Sequence, residues 1–196
     1  MRETFARVVP DVPILEGTGE DLPLADASCA AVVAAQSFHW MASPCCVTEF
    51  ARVLRPGGVL ALLWNTRDES VPWVAALEKE VIGPAYGTWP SVPRQQTGAW
   101  RLPLAAASGT LFGPLEERRF QNEPDTLHLL SANELLNRVL SLSVVAAGGP
   151  DARTAAARGV QRLLATHPDL RGGSGDGGDG KVELPHVAEV YWCVRL

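Results

Sequence analysis

The sequence predicts an α/β domain in which helices cover a mostly parallel sheet on both faces. Two short segments that are apolar at every position, residues 30–35 and 59–64, are typical of strands buried on both faces. Between them, Val47, Phe50 and Leu54 recur at helical spacing and predict a connecting helix. The alternation of strand, helix and strand indicates a three-layer domain. Ligands of such sheets bind beyond the carboxyl ends of the strands.

Further elements follow in an order that suits one domain spanning residues 1–196. Strands are also predicted at residues 12–16, 116–123 and 187–196. Helices are predicted at residues 3–9, 44–54, 68–81, 131–146 and 151–167. Ser43 is the predicted N-cap of the second helix, and Ser131 with Glu134 matches a capping box. Residues 83–114 show no clear pattern, and the glycine-rich run 172–180 predicts a flexible loop.

The composition indicates an acidic globular protein. Its 17 basic and 22 acidic side chains give a formal net charge of −5, which argues against a nucleic-acid partner because such partners require a basic surface. The longest uncharged stretch, residues 27–48, contains Gln36, Ser37 and His39 and predicts no membrane span. Charged residues interrupt the amino-terminal segment where a secretory signal would be apolar. We therefore expect a soluble, cytoplasmic protein.

Four cysteines show no Cys-x-x-Cys spacing and are interpreted as reduced, buried thiols. His39 with Cys45 or Cys46 is a conceivable start of a metal site, but no second ligand pair has suitable spacing. No metal site is predicted.

The first candidate site is the acidic glycine turn 17–21, which follows the predicted strand 12–16. Its Gly-Thr-Gly start is similar to a dinucleotide-binding loop, but Leu22 stands at the third glycine position. Glu20 and Asp21 would repel a pyrophosphate and instead suit an amine, a ribose hydroxyl or a cation. A nucleotide-dependent oxidoreductase is therefore disfavoured. The alternative is a glycine turn whose acids are simply solvated.

The second candidate site follows the strand 30–35 and consists of polar and aromatic side chains. These are Gln36, Ser37, Phe38, His39 and Trp40. Such a cluster is typical of a pocket that stacks a planar group and holds polar ones. His39 is a candidate general base because an unperturbed histidine has a pKa of about 6.5. The alternative is a structural histidine, and Trp64 at the end of the next strand is interpreted as a core residue.

Three segments resemble class I S-adenosylmethionine-dependent methyltransferases, with the closest likeness to the small-molecule type-11 group. They read EGTGEDLPL at 16–24, AVVAAQSFHW at 31–40 and EFARVLRPGGVL at 49–60, in that family's order and spacing. The resemblance implies a Rossmann-like three-layer sheet with an antiparallel C-terminal strand. It also implies S-adenosylmethionine as cofactor and a small-molecule methyl acceptor.

The resemblance assigns roles residue by residue. The loop matching Thr18, Gly19 and Glu20 would lie against the adenine of the cofactor. The strand end matching Gln36, Ser37 and Phe38 would lie beside its methionine portion and the substrate, with His39 as the candidate catalytic residue. Methyl transfer requires mainly alignment, so that a base is optional.

The sequence also departs from the family pattern. The family's first strand, its glycine-rich loop and the acidic residue after its second strand have no counterpart, which indicates an N-terminally truncated domain with an incomplete sheet. We expect strand 30–35 to present a bare apolar edge, and strand 12–16 to re-pair or detach. The alternative function is a non-catalytic remnant that binds a protein partner at this open edge.

Overall fold

The structure is a computed structural model that describes residues 2–87, 93–121, 128–171 and 181–196. The predicted loop 172–180 lies outside the described residues. The strands are β1 (Cys29–Ala35), β2 (Leu54–Arg67), β3 (Glu116–Gln121), β4 (His128–Leu130), β5 (Val182–Leu184) and β6 (His186–Val194). The α-helices are α1 (Arg2–Val8), α2 (Phe38–Met41), α3 (Pro44–Val53), α4 (Pro72–Ala76), α5 (Gly83–Gly87), α6 (Arg101–Ala107), α7 (Ala132–Leu140), α8 (Ser143–Ala147), α9 (Gly149–Thr166) and α10 (Pro168–Arg171). A π-helical turn spans Leu77–Ile82, and a 3₁₀ turn spans Gln95–Thr97.

The main sheet is open and mixed, with strand order β1-β2-β6-β3. β1 runs parallel to β2, from Ala31 opposite Val59 to Ala35 opposite Leu63. β6 runs antiparallel to β2: Arg195 bonds to the backbone near the start of β2, whereas Val187 accepts a bond from Thr66 near its end. The predicted α/β class and the antiparallel C-terminal strand are therefore confirmed. β4 and β5 form a separate antiparallel pair.

The Arg-Pro-Gly-Gly segment, residues 55–58, is built into β2 as a bulge. The register moves from Cys29 opposite Leu54 to Ala31 opposite Val59, so that residues 55–58 face only one residue of β1. A Cβ on Gly58 would lie 2.8 Å from the Arg55 carbonyl oxygen. Glycine is therefore needed where the bulge approaches its own backbone.

The described residues fall into two compact units, and the prediction of a single domain stays a prediction. The first unit comprises Met1–Trp64, Arg94–Arg118 and Val190–Leu196. Its core packs Phe50 of α3 and Phe38 of α2 against Leu60 and Leu62 of β2, all nearly or fully buried. Each such side chain contributes on the order of 1.5–3 kcal/mol of burial free energy.

The second unit comprises Asn65–Pro93 and Arg119–Glu189, and it has its own core. That core contains Trp73, Leu77, Leu135, Val160 and Leu184. The predicted capping box is confirmed, because Ser131 Oγ accepts a bond from Glu134 N at 3.3 Å and the Glu134 carboxylate accepts one from Ser131 N at 2.8 Å. The predicted helix 131–146 is interrupted after Leu140 and resumes as α8.

Three predictions of local structure were wrong. Residues 12–16 form no strand, and Val12 and Leu15 are 47% and 57% exposed, because no neighbouring strand pairs with them. β1 is not buried on both faces: it is an edge strand in which Val33 is 59% exposed, as expected for an open edge. The predicted helix 68–81 begins only at Pro72, because the Asp68 carboxylate holds Ser70 in a local turn.

Across the part of the chain that the structure describes, no helix combines the length and apolarity that a membrane crossing requires.

Candidate functional site

The acidic turn lies directly against the segment that follows β1. Thr18 and Asp21 close the turn with two backbone bonds of 3.0 and 3.2 Å. A Cβ on Gly19 would lie 2.6 Å from Met41 Sδ and 3.0 Å from Cys46 Sγ, so the backbone here touches the end of α2 and the start of α3. The structure therefore places the acidic turn against Met41, the residue that directly follows the second candidate segment, and against Cys46 of α3.

Arg52 and Glu49 of α3 anchor the loop that carries this turn. Arg52 donates to the carbonyl oxygens of Leu22 and Leu24 at 3.0 and 2.7 Å, and to the Asp26 carboxylate at 2.7 Å. Glu49 accepts a bond from Leu22 N at 2.7 Å and also binds Arg52. One helix face thus fixes the course of the loop, although the sequence offered no pattern that singled out either residue.

These contacts make the loop sensitive to acid. The bond from Arg52, followed by that from Leu22 N, lowers the pKa of Glu49 from 4.5 to about 2. A carboxyl group with a depressed folded-state pKa stabilises the fold above its unfolded value, and this contribution is lost as the pH falls from about 4.5 to about 2. We expect Glu49→Gln to flatten the pH dependence of the unfolding free energy in that window, measured by urea titrations. Glu116→Gln, at an exposed site on β3, is the control, and an unchanged slope in Glu49→Gln would contradict the anchoring role.

The end of β1 bends sharply into α2. Gln36 adopts a left-handed backbone conformation with φ of 54°, and its N–H donates to the Leu63 carbonyl oxygen at 2.8 Å. A residue other than glycine is uncommon in this region, and such strain is concentrated at binding and catalytic sites. The bend leaves the Gln36 side chain exposed and Ser37 half-buried. Thr18 and Glu20 are also exposed, so all four polar side chains are accessible to a ligand.

Phe38 occupies a different environment from its predicted neighbours. Its side chain is fully buried, with ring centroids 6.1 Å from Phe50 and 6.3 Å from Trp100. The ring therefore belongs to the core of the first unit. A ligand at this position would meet the backbone of Phe38 rather than its side chain.

His39 is held by Trp64, which lies 25 residues further along the chain. The indole N–H of Trp64 donates to His39 Nδ1 at 3.1 Å. Burial lowers the pKa of His39 below its ordinary value of 6.5. The neighbouring Trp40 ring lies 5.4 Å away and is 49% exposed, so a planar group can reach it from solvent.

An aromatic cluster supports Trp64 from the other side. Trp100 and Tyr191 lie with ring centroids 4.7 and 5.6 Å from Trp64, and all three rings are nearly buried. The guanidinium of Arg101 covers Trp100 and Tyr191 at 4.7 and 4.5 Å, and it pairs with Glu117. Sequence reasoning identified Trp64 as a core residue, which is confirmed, but missed the cluster because its members come from distant segments.

Cys46, beside the acidic turn, is a buried thiol as predicted, but the prediction of buried thiols is wrong for Cys45, which is exposed, and for Cys29, which is half-buried. Burial, together with the charges of Glu20 and Glu49, raises the pKa of Cys46 to about 12. A thiol protonated at neutral pH is a poor nucleophile and a poor metal ligand. Within the described ranges, no three His, Cys, Asp or Glu side chains are grouped to hold a metal ion.

Comparisons with known proteins agree on one family. A family model described as a methyltransferase domain matches residues 1–62. An uncharacterized methyltransferase of Mycobacterium bovis is 33% identical over 204 residues, covering 100% of this chain and 69% of the relative. An uncharacterized methyltransferase of Schizosaccharomyces pombe is 43% identical over 74 residues, covering 38% of this chain and 30% of the relative.

Among solved structures, the YcgJ protein of Bacillus subtilis is similar, with a TM-score of 0.48 and 17% identity over 98% of this chain and 75% of that chain. The identity to the mycobacterial relative, sustained over the whole of this chain, is what establishes the family. This chain belongs to the class I S-adenosylmethionine-dependent methyltransferases.

Proposed function

We propose that this chain binds S-adenosylmethionine at the carboxyl end of β1 and transfers its methyl group to a small-molecule acceptor. The observation that carries the proposal is the contact of Gly19 with Met41, which places the acidic turn beside the helix that directly follows the bend at the end of β1. The residues present fit such a cofactor, because the exposed side chains of Thr18, Glu20 and Gln36 offer donors and acceptors that match its polar groups.

The proposed roles follow from accessibility and charge. Thr18, Gly19 and Glu20 form the wall for the adenosyl portion, since exposed carboxylates favour hydroxyl and amino donors over phosphate. Gln36 and Ser37 offer polar groups to the methionine portion, and Phe38 contributes its backbone. The cofactor supplies an activated methyl group and a neutral leaving group when it is bound. The task left to the protein is alignment of the acceptor.

Calorimetric titration with S-adenosylmethionine and with its demethylated product tests this assignment. We expect both to bind, and Glu20→Ala to weaken binding by about tenfold, or about 1.4 kcal/mol, because one wall of the site loses its acceptor. Glu116→Ala, which removes an exposed carboxylate from β3, should leave the affinity unchanged. Equal affinities of the wild type and Glu20→Ala would show that the acidic turn is not part of the binding site.

A second candidate function rests on the exposed edge strand. β1 has no neighbour on one side within the described residues, and its exposed residues include Val33. An unpaired apolar edge is a template for β-augmentation by another chain. The same calorimetric titrations separate the two functions, because a cofactor-binding enzyme gives heat with both ligands, whereas a non-catalytic module that binds a protein partner gives none.

A further inference from the structure

The hydrogen bond between Trp64 and His39 determines where His39 carries its proton. An indole N–H can only donate, so Nδ1 of His39 has to accept at the observed 3.1 Å. A neutral imidazole has one protonated nitrogen, which in this arrangement is Nε2. His39 therefore presents a donor, and not a free lone pair, on its second nitrogen.

Trp64 is held in a fixed position. Its side chain is 3% exposed, and the Trp100 ring lies at an angle of 36° to it while Tyr191 meets it edge-on at 71°. Rotation of the indole would break both ring contacts. The indole N–H thus stays directed at His39, and the hydrogen bond does not depend on a mobile side chain.

Protonation of His39 would be opposed by this arrangement. The imidazolium carries a proton on both nitrogens, so its Nδ1–H would face the indole N–H and the bond would be lost. A hydrogen bond to the neutral form lowers a pKa, which is the same direction as burial gives here. Among the described residues, burial rather than a neighbouring charge lowers the pKa of His39. His39 is accordingly a neutral donor at pH 7.

We propose that Trp64 is a positioning residue that holds His39 in the Nε2-protonated tautomer, so that His39 donates a hydrogen bond to an acceptor carrying an oxyanion. The assignment of the acceptor class rests on the proposed methyl transfer. Because no base is offered at this position, the nucleophile has to react without first losing a proton at neutral pH. A carboxylate does so, and its second oxygen can accept the hydrogen bond that Nε2–H donates. The exposed ring of Trp40 beside His39 suits a planar group attached to that carboxylate.

The chemical step is balanced without a proton transfer. A carboxylate oxygen attacks the methyl carbon, the new C–O bond forms as the S–CH₃ bond breaks, and the electron pair of that bond returns to sulfur. The carboxylate becomes a methyl ester, and the sulfonium becomes a neutral thioether. The His39 Nε2–H hydrogen-bonds to the second carboxylate oxygen and orients the attacking one.

Nitrogen-15 NMR of the full chain tests the positioning role without requiring activity. In the wild type we expect the chemical shifts of His39 to show an unprotonated Nδ1 and a protonated Nε2, with a pKa below 6.5. Trp64→Phe removes the donor but keeps a ring, and it should yield a mixture of tautomers and a pKa closer to 6.5. Trp40→Phe, which touches His39 without this bond, is the control and should preserve the tautomer. A protonated Nδ1 in the wild type would overturn the proposal even if Trp64→Phe does not fold.

Titration with benzoate and with neutral benzamide tests the acceptor class. Benzoate should shift the His39 Nε2 resonance, and benzamide at equal concentration should shift it much less. Equal shifts with both, or none with either, would overturn the oxyanion assignment. If S-adenosylmethionine fails to bind while the tautomer is as expected, the proposed function fails and the role of Trp64 stands. If S-adenosylmethionine binds but Nδ1 of His39 is protonated, the proposed function stands and the positioning role of Trp64 fails.

Discussion

Replacing Arg52 by methionine is expected to weaken the proposed binding of S-adenosylmethionine at least about tenfold while the chain still folds. Methionine keeps the apolar stem of the side chain and removes every donor of the guanidinium. The carbonyl oxygens of Leu22 and Leu24 and the carboxylate of Asp26 then lose their common partner. The loop that carries the acidic turn then loses its bonds to Arg52. Part of the binding free energy of a ligand has to be spent on ordering the loop, so the affinity falls.

Two measurements separate loop release from general unfolding. Hydrogen exchange should become faster at the amides of Leu22 and Thr18, both of which are bonded in the wild type, but not at the amides of β2. Calorimetry with S-adenosylmethionine should show at least about a tenfold loss of affinity. Arg158→Met on the exposed side of α9 is the matched control and should change neither result. Normal exchange at Leu22 in Arg52→Met would show that the loop holds its course without the Arg52 guanidinium.

Arg52→Lys should lie between the wild type and Arg52→Met. Lysine keeps the charge but cannot form the planar fork that reaches two carbonyl oxygens and two carboxylates together. In Arg52→Lys, the amides of the loop should exchange at rates between those of the wild type and Arg52→Met. Full rescue by lysine would mean that charge alone, rather than the geometry of the guanidinium, holds the loop.

Local sequence patterns predicted the elements around the site well. The helix 44–54 with Ser43 as N-cap is confirmed, because Ser43 Oγ accepts a bond from Cys46 N at 3.1 Å. The capping box at Ser131 is confirmed for the same reason: both signals depend only on residues within one turn of helix. The parallel pairing of residues 30–35 with 59–64 also follows from a pattern carried by the two segments themselves.

What the sequence did not reveal depends on long-range partners. Arg52 and Glu49 occupy the polar side of an amphipathic helix, where charged residues are ordinarily solvated, and only the fold brings the loop to them. The bond between Trp64 and His39 joins β2 to α2, and no spacing rule predicts which ring nitrogen it reaches. The failed strand 12–16 has the same cause, since a strand needs a partner and not only β propensity.

Phe38→Ala is expected to destabilise the chain by about 3–5 kcal/mol, the usual cost of removing a buried phenylalanine ring. The ring is fully buried between Phe50 and Trp100, and it follows directly on the strained bend at Gln36. Its packing therefore stabilises the conformation in which the end of β1 turns into α2. Because a typical domain has only about 5–15 kcal/mol of stability, this one change removes a large share of it.

Urea unfolding followed by tryptophan fluorescence and by circular dichroism measures this loss. Phe38→Leu retains most of the apolar volume and should cost less than about 1.5 kcal/mol. Trp40→Ala, two positions away and 49% exposed, is the control for an aromatic residue outside the core and should stay near the wild type. If Phe38→Ala matched Trp40→Ala, the ring would not be packed in the core, and Phe38 would again be available to contact the cofactor with its side chain. A large loss in Phe38→Ala alone instead means that the Phe38 ring is packed in the core, directly after the backbone bend at Gln36.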